Sequence, residues 1–250
     1  MSKSCWIIGA SHGIGEALAK NYHVQGYNLI LSARNLEKLE QIKSKLNSQN
    51  STPVLVSKVD VCDRDSLAKA CDEISKNYQK IDLIIFCSAL YQPASVIGFD
   101  LVKAREIIEV NLVGVLNLFD VIIPKMVAQK SGQIGIVASV AGYRGLPNSF
   151  TYGASKAALI NMCEGIYPEL KRQNIDISVI NPGFVKTRLT DQNTFSMPFI
   201  ITPEKAAEEI SKGLAAKKFE IHFPKKFTFF LKLLRILPYP LFFFITKKIA

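Results

Sequence analysis

Cys5-Trp6-Ile7-Ile8-Gly9-Ala10-Ser11-His12-Gly13-Ile14-Gly15 reads as a short apolar run, a glycine-rich turn and the start of a helical pattern that continues through Ala17, Leu18 and Tyr22. Four apolar residues in a row fit a strand buried on both faces. Gly9, Gly13 and Gly15 permit a tight turn and let backbone approach a pyrophosphate, and the following helix N-terminus favours an anion. The spacing is G-x3-G-x-G, unlike the G-x-G-x-x-G of the older dinucleotide folds. Ser11, His12 and Ile14 lie inside the turn, and the first two bring side-chain hydrogen-bonding groups to it.

Outward from this turn, apolar runs alternate with amphipathic stretches. Further strands are expected at Asn28–Ser32, Val54–Lys58, Leu83–Cys87, Gly132–Ala138, Ile175–Ile180 and Phe219–His222. Helical spacing is expected over Glu37–Leu46 and Ser66–Tyr78, and Thr202-Pro203-Glu204 has the cap, the N1 proline and the first-turn acid of a helix start. Strands alternating with helices imply right-handed crossovers and a parallel sheet. The expected architecture is α/β: a doubly wound, Rossmann-like sheet of about seven strands over residues 1–224, followed by a hydrophobic, basic tail over 225–250.

Composition supports that division. The chain has 250 residues, 48% of them hydrophobic, which is ample for a core. Its net charge of +10 first suggests nucleic acid, a membrane surface or an acidic partner. Six of the basic residues, however, lie between Ile221 and Ala250 (Lys225, Lys226, Lys232, Arg235, Lys247, Lys248), where no acid occurs. Up to residue 220 the balance is an ordinary 25 basic against 21 acidic residues. The same tail holds seven of the 15 phenylalanines, so its charge sits among aromatics, which disfavours nucleic acid. Five scattered cysteines without a C-x-x-C pair fit a reducing compartment, and neither they nor the three distant histidines make a metal site. The run Cys5–Ile8 is too short for the apolar region of a signal peptide. A cytoplasmic location is expected, with the tail as a contact to the inner face of a membrane.

Dinucleotide choice turns on the end of the second strand. An acid there binds a ribose 2′-OH, whereas an arginine accommodates a 2′-phosphate. This chain reads Leu31-Ser32-Ala33-Arg34-Asn35 with no acid before Glu37, so Arg34 points to NADP over NAD. Past the third strand, in Val59-Asp60-Val61, the Asp60 carboxylate is placed to accept from an adenine amino group.

Thr151-Tyr152-Gly153-Ala154-Ser155-Lys156 carries the chemistry. Tyr152 and Lys156 are four apart and share a helix face. A phenol titrates near ~10, and a neighbouring ammonium moves it toward the working range. Ser139 ends the strand Gly132–Ala138, where open parallel sheets place ligands, and its hydroxyl is suited to a carbonyl oxygen gaining charge. Asn111, in Glu109-Val110-Asn111-Leu112-Val113-Gly114, puts an amide in an apolar helix, where it needs partners; a water-linked proton path from the lysine would supply them.

In this order the motifs resemble the short-chain dehydrogenase/reductase family, the branch with G-x3-G-x-G and Y-x3-K, from about Ser4 to about His222. The resemblance implies hydride transfer between NADP and an alcohol or carbonyl carbon. Tyr152 would exchange the hydroxyl proton, Lys156 would bind the nicotinamide ribose and lower the tyrosine's pKa, Ser139 would orient the carbonyl, and Asn111 would hold the water of a proton relay. From Asn181-Pro182-Gly183 and Val185-Lys186-Thr187, residues Pro182, Gly183, Val185 and Thr187 would lie near the nicotinamide. Arg34, Asp60, Val61 and Ala89 would line the adenosine side. One motif departs: the family's N-N-A-G after strand four is Cys87-Ser88-Ala89-Leu90 here, with only Ala89 kept. Pairing into a homodimer or homotetramer is also a family expectation.

The expected substrate loops, Gly142–Phe150 and Phe184–Ile201, carry Phe195, Met197, Pro198 and Phe199, which suit an apolar, lipid-derived carbonyl compound or alcohol. A 3-oxoacyl carrier-protein reductase and a non-catalytic nucleotide-binding regulator stand as alternatives. In the tail, Phe227, Phe230, Leu231, Leu234 and Leu237 follow helical spacing until Pro238 and Pro240, and the uncharged Ile236–Thr246 is too short to span a bilayer. An interfacial helix on anionic lipid, a subunit contact and a pocket lid are all compatible with it.

Overall fold

The computed structural model describes residues 2–49, 52–93, 95–193 and 195–247; Lys248, counted above among the tail's basic residues, lies outside them. Seven strands are present: β1 (Ser4–Ile8), β2 (Asn28–Ala33), β3 (Val54–Lys58), β4 (Leu83–Phe86), β5 (Gly132–Val137), β6 (Ile175–Pro182) and β7 (Glu220–Phe223). They form one parallel sheet in the order β3-β2-β1-β4-β5-β6-β7. The chain winds outward from β1 to β3, returns to β4 beside β1, and winds outward again to β7. The crevice between β1 and β4 is therefore the topological switch point at which such sheets bind ligands.

Alternate strand residues feed two cores. Trp6, Ile8, Ile84, Phe86, Ile134 and Ile136 pack under α3 (Arg64–Asn77), α5 (Gly114–Gln129) and α6 (Phe150–Arg172). On the other face Cys5, Ile7, Leu29, Leu31 and Ile85 pack under α1 (Gly13–Val24), α2 (Leu36–Asn47) and α7 (Pro203–Ala215). Both strand faces are thus covered by helices, which is why the strands read as unbroken apolar runs.

Two details differ from the expected boundaries and bear on the site. β6 continues through Asn181 and Pro182, because both pair with His222 and Phe223 of β7. Asn111 sits in a five-residue π turn, Glu109–Val113, inserted between α4 (Leu101–Ile108) and α5. The stretch Leu101–Gln129 is long and apolar enough to cross a membrane, but Val115, Leu118, Ile122 and Met126 within it belong to the core.

The tail folds as α8 (Lys225–Ile236) and α9 (Tyr239–Thr246), separated at Pro238, which starts α9. Leu231 and Leu234 of α8 join the core under α6. Arg144, just beyond β5, fastens the end of α8: its guanidinium donates to the carbonyls of Leu234 (2.8 Å), Arg235 (2.9 Å) and Leu237 (2.6 Å). The same group lies 4.1 Å from the Phe242 ring centroid, so one side chain caps α8 and seats α9. Lys232 pairs with Glu220, whose other oxygen accepts from Tyr143 (2.6 Å) and Asn181 (3.0 Å).

Candidate active site

The glycine turn lies at the switch point. Gly9 has φ +87°, and a Cβ there would stand 2.6 Å from the backbone nitrogen of Ser88, so a side chain would push β1 away from the segment after β4. The N–H groups of Gly9 and Ala10 both donate to the Ser32 carbonyl (2.7 and 3.1 Å), tying the turn to the end of β2. His12 precedes α1 in an extended conformation and makes no side-chain cap, whereas Asn35, Asp63, Asp100 and Thr202 cap α2, α3, α4 and α7. The first N–H groups of α1 are left for another acceptor. The His12 ring lies 3.0 Å from Ser11 Oγ, and burial first, then the charges of Arg188 and Lys38, lower its pKa. Positive charge therefore collects where the helix end already favours an anion.

Opposite the turn, β5 delivers Ser139 and α6 delivers Tyr152 and Lys156. Ser139 Oγ accepts from the Ala141 N–H at 3.1 Å, so the hydroxyl proton is free to be donated outward. The nearby Ser139 hydroxyl lowers the Tyr152 pKa, yet burial dominates and pushes it up to about 12. Lys156 is buried, with its Nζ donating to the Val137 carbonyl at 2.9 Å, 5.6 Å from the centre of the Tyr152 ring, and burial lowers its pKa to about 7. The expected lowering of the tyrosine by this ammonium is not what the geometry gives. Lys156 is held by a backbone carbonyl and is itself desolvated, and burial is the largest cause of the shift at both groups.

Asn111 is fully buried behind this trio. Its Oδ1 accepts from the Leu90 N–H (2.7 Å), and its Nδ2 donates to the Leu90 carbonyl (2.9 Å) and to Ser155 Oγ (3.0 Å). Ser155 Oγ in turn donates to the Tyr152 carbonyl at 2.7 Å. Both amide hydrogens thus go to protein groups, and the side chain joins the irregular segment after β4 to the first turn of α6. The π turn presents the amide at this angle, and such turns recur at functional sites.

The cleft brings together His12, Gly13, Ile14 and Gly15 from the turn, Ala89 from the segment after β4, and Ser139, Tyr152 and Lys156. Pro182, Gly183, Val185 and Thr187 close its far wall. Gly9 and Ser11 shape the turn without lining the cleft. Arg34, exposed at the end of β2, and Asp60 with Val61, past β3, lie apart from this cleft, along the sheet edge leading away from β1. Asp60 Oδ1 accepts from the Cys62 N–H (3.0 Å), and Val61 is buried, its carbonyl accepting from Asn117 Nδ2 at 3.0 Å.

Sequence reasoning does not single out several residues of the wall. Arg188, Leu189 and Thr190 line the cleft, as does Cys87 of the departing motif, whose thiol burial pushes up to about 12, so it is an inert neutral group. Tyr91 packs its ring edge-on to Tyr152 with centroids 4.9 Å apart, and its hydroxyl donates to Asn193 Oδ1 at 2.8 Å, bridging the segment after β4 to the loop after β6. The signal for Arg188 was its place directly after Val185-Lys186-Thr187; Tyr91 stands in a stretch with no periodicity.

Residues 3–196 match the short chain dehydrogenase family model. An uncharacterized oxidoreductase of Myxococcus xanthus is 28% identical over 240 residues, covering 96% of this chain and 94% of the relative. The 3-oxoacyl-(acyl-carrier-protein) reductase FabG of Thermotoga maritima is 31% identical over 209 residues, covering 82% and 80%. Among solved structures, a short chain dehydrogenase/reductase from Burkholderia phymatum in complex with NAD has a TM-score of 0.85 at 21% identity, covering 93% of this chain and 92% of the other. A variant of actinorhodin polyketide ketoreductase with NADPH has a TM-score of 0.80 at 20% identity, covering 88% and 95%. With the sheet order, the glycine turn and the Tyr152–Lys156 pair in one cleft, these matches establish that the chain belongs to the short-chain dehydrogenase family of oxidoreductases.

Proposed function

We propose that the chain is an NADP-dependent oxidoreductase acting between the carbonyl and secondary alcohol forms of an apolar substrate. The observation that carries this reading is the convergence of Ser139, Tyr152 and Lys156 on the same cleft as the glycine turn. The residues fit a dinucleotide: α1 has no side-chain cap, its N-terminus lines the cleft, and His12, Arg188 and Lys38 add positive charge around it. Arg34 at the end of β2, with no acid before Glu37, favours the 2′-phosphate form.

Bound there, the nicotinamide would supply the hydride for reduction or take it in oxidation. The chain's own part is proton handling and orientation. Ser139, its oxygen held by Ala141 N–H, donates to the carbonyl oxygen of the substrate. Tyr152, kept protonated by burial, gives its proton to that oxygen as negative charge develops, and Lys156 steadies the phenolate left behind. The products balance: hydride on carbon and proton on oxygen make the alcohol. A phenol pushed up to about 12 stays protonated until the substrate oxygen gains charge, as a proton donor must. Tyr91 beside Tyr152, and Phe184 against Phe195 (5.9 Å between ring centroids), suit an apolar substrate.

The test is a panel of aliphatic and aromatic ketones with NADPH or NADH, followed by loss of reduced-nicotinamide absorbance. Faster turnover with NADPH on the apolar members supports the reading, and no oxidation of NADPH across the panel refutes it. The relative from Thermotoga maritima favours a second reading, in which the ketone is a 3-oxoacyl chain on a carrier protein. A strong preference for the carrier-bound thioester over the free ketones would select it.

A further inference from the structure

α8 is apolar on two sides. One side is built into the domain: Leu231 and Leu234 are buried, and Phe227 packs on the wall of the cleft, where a Cβ on Gly183 would meet its ring at 2.8 Å. The other side carries Phe229, Phe230, Leu233 and Ile236, which are 54 to 76% exposed. Leu241 and Phe243 of α9 are exposed as well, and so is Phe199 of the loop after β6, its ring 6.3 Å from that of Phe227. Single exposed apolar residues are ordinary, but several on one side of a helix mark a contact.

The charges around this side of α8 decide what covers it. Lys225, Lys226, Arg235 and Lys247 are exposed, and no acidic side chain follows Glu220; Lys232, paired with Glu220, is the neutralised one. A second copy meeting this face about a two-fold axis would set those four cations against themselves. A neutral apolar partner would leave them without counter-charge. An anionic lipid surface satisfies both the apolar and the basic groups. At 12 residues α8 is about 18 Å long by its ~1.5 Å rise per residue, well short of the hydrocarbon thickness, and Pro238 turns the chain before α9.

We propose that the outer side of α8 and α9 lies flat on an anionic lipid bilayer, with Phe229, Phe230, Leu233 and Ile236 in the acyl boundary and the four cations among the headgroups. The inference is independent of which reaction the cleft performs. Its consequence is that the wall of the cleft at Gly183 touches a side chain, Phe227, of the docked helix itself.

The full chain is floated with vesicles of phosphatidylcholine alone and of phosphatidylcholine with phosphatidylglycerol. The wild type rises with the anionic vesicles and is partly released by salt. Phe230→Glu with Leu233→Glu stays at the bottom. Lys225→Ala with Lys226→Ala weakens binding about 25-fold, two basic residues at roughly fivefold each. Thermal melting within a few degrees of wild type shows that a variant is folded; the lysine pair, on the surface, tests the proposal even where the double Glu variant is not. The proposal is overturned if the wild type floats with neither vesicle, if the lysine pair floats as well as wild type, or if the wild type stays down as a dimer that the folded Glu variant splits.

Discussion

Both backbone polar groups of Leu90 are held by the side chain of Asn111: the N–H at 2.7 Å and the carbonyl at 2.9 Å. In this chain Leu90 stands where the family has a glycine, and the bonds fix that departing segment to the helix that carries Tyr152. Asn111 is therefore a hub of position. Asn111→Ala leaves the Leu90 pair and Ser155 without this partner, at about 1–3 kcal/mol for each buried group that finds no water. The expected outcome is a melting temperature lower by several degrees together with a fall in kcat. A variant with unchanged melting and unchanged kcat would remove the hub.

Lys156 gives the fold a pH dependence whose sign is fixed by burial. Its pKa in the fold is about 7, below the ordinary lysine value of ~10.4 in the unfolded chain. Between those two values the unfolded chain binds more protons, so stability rises with pH across that window and falls as pH drops toward 7. The urea midpoint of the wild type is expected to rise from pH 7 to pH 9 more steeply than that of Lys156→Met, which lacks the group. Parallel profiles would show that Lys156 titrates normally.

Arg144 holds the tail to the domain through three carbonyls and two rings. Arg144→Ala is expected to lose about 1–3 kcal/mol, since the carbonyls at the end of α8 reach water once the cap is gone. Proteolysis of the folded protein should then begin between residues 225 and 247. Arg144→Lys restores only part of this, because an ammonium cannot reach three carbonyls and lie over a ring. Equal cleavage rates for wild type and Arg144→Ala would place the strength of the tail elsewhere.

The proposed preference for NADP over NAD rests on Arg34, at the end of β2. Arg34→Glu offers an acceptor to a ribose 2′-OH and repels a 2′-phosphate, so KM for NADPH should rise by about one to two orders of magnitude while KM for NADH falls. kcat for the reaction should stay within a few fold, since Arg34 lies apart from Tyr152. An unchanged KM for NADPH would exclude Arg34 from the site.

The strands were legible because burial on both faces makes them unbroken apolar runs, and all seven lie within two residues of their expected bounds. The glycine turn, Ser139 and the Tyr152–Lys156 pair were legible because their chemistry depends on spacing along one element. Asn111 was visible as a buried amide, but its π turn was not, since Glu109-Val110-Asn111-Leu112-Val113 contains no residue that breaks an α-helix. Tyr91 was invisible for a similar reason: its partners, Tyr152 and Asn193, are distant in sequence. The rise in the Tyr152 pKa was missed because spacing reports a neighbour's charge and not the depth of burial. In the tail, helical spacing grouped Phe230 with Leu231 and Leu234, yet Phe230 faces outward; with apolar residues on both sides, periodicity cannot tell which one meets the core.

The most direct measurement of the central claim compares wild type and Tyr152→Phe in NADPH-dependent reduction of the best ketone from the panel, with NADPH binding measured separately by fluorescence. Removing the proton donor should lower kcat by about 10²–10⁴-fold while NADPH binding stays within a few fold. Turnover by Tyr152→Phe equal to that of wild type, with NADPH bound, would contradict the account.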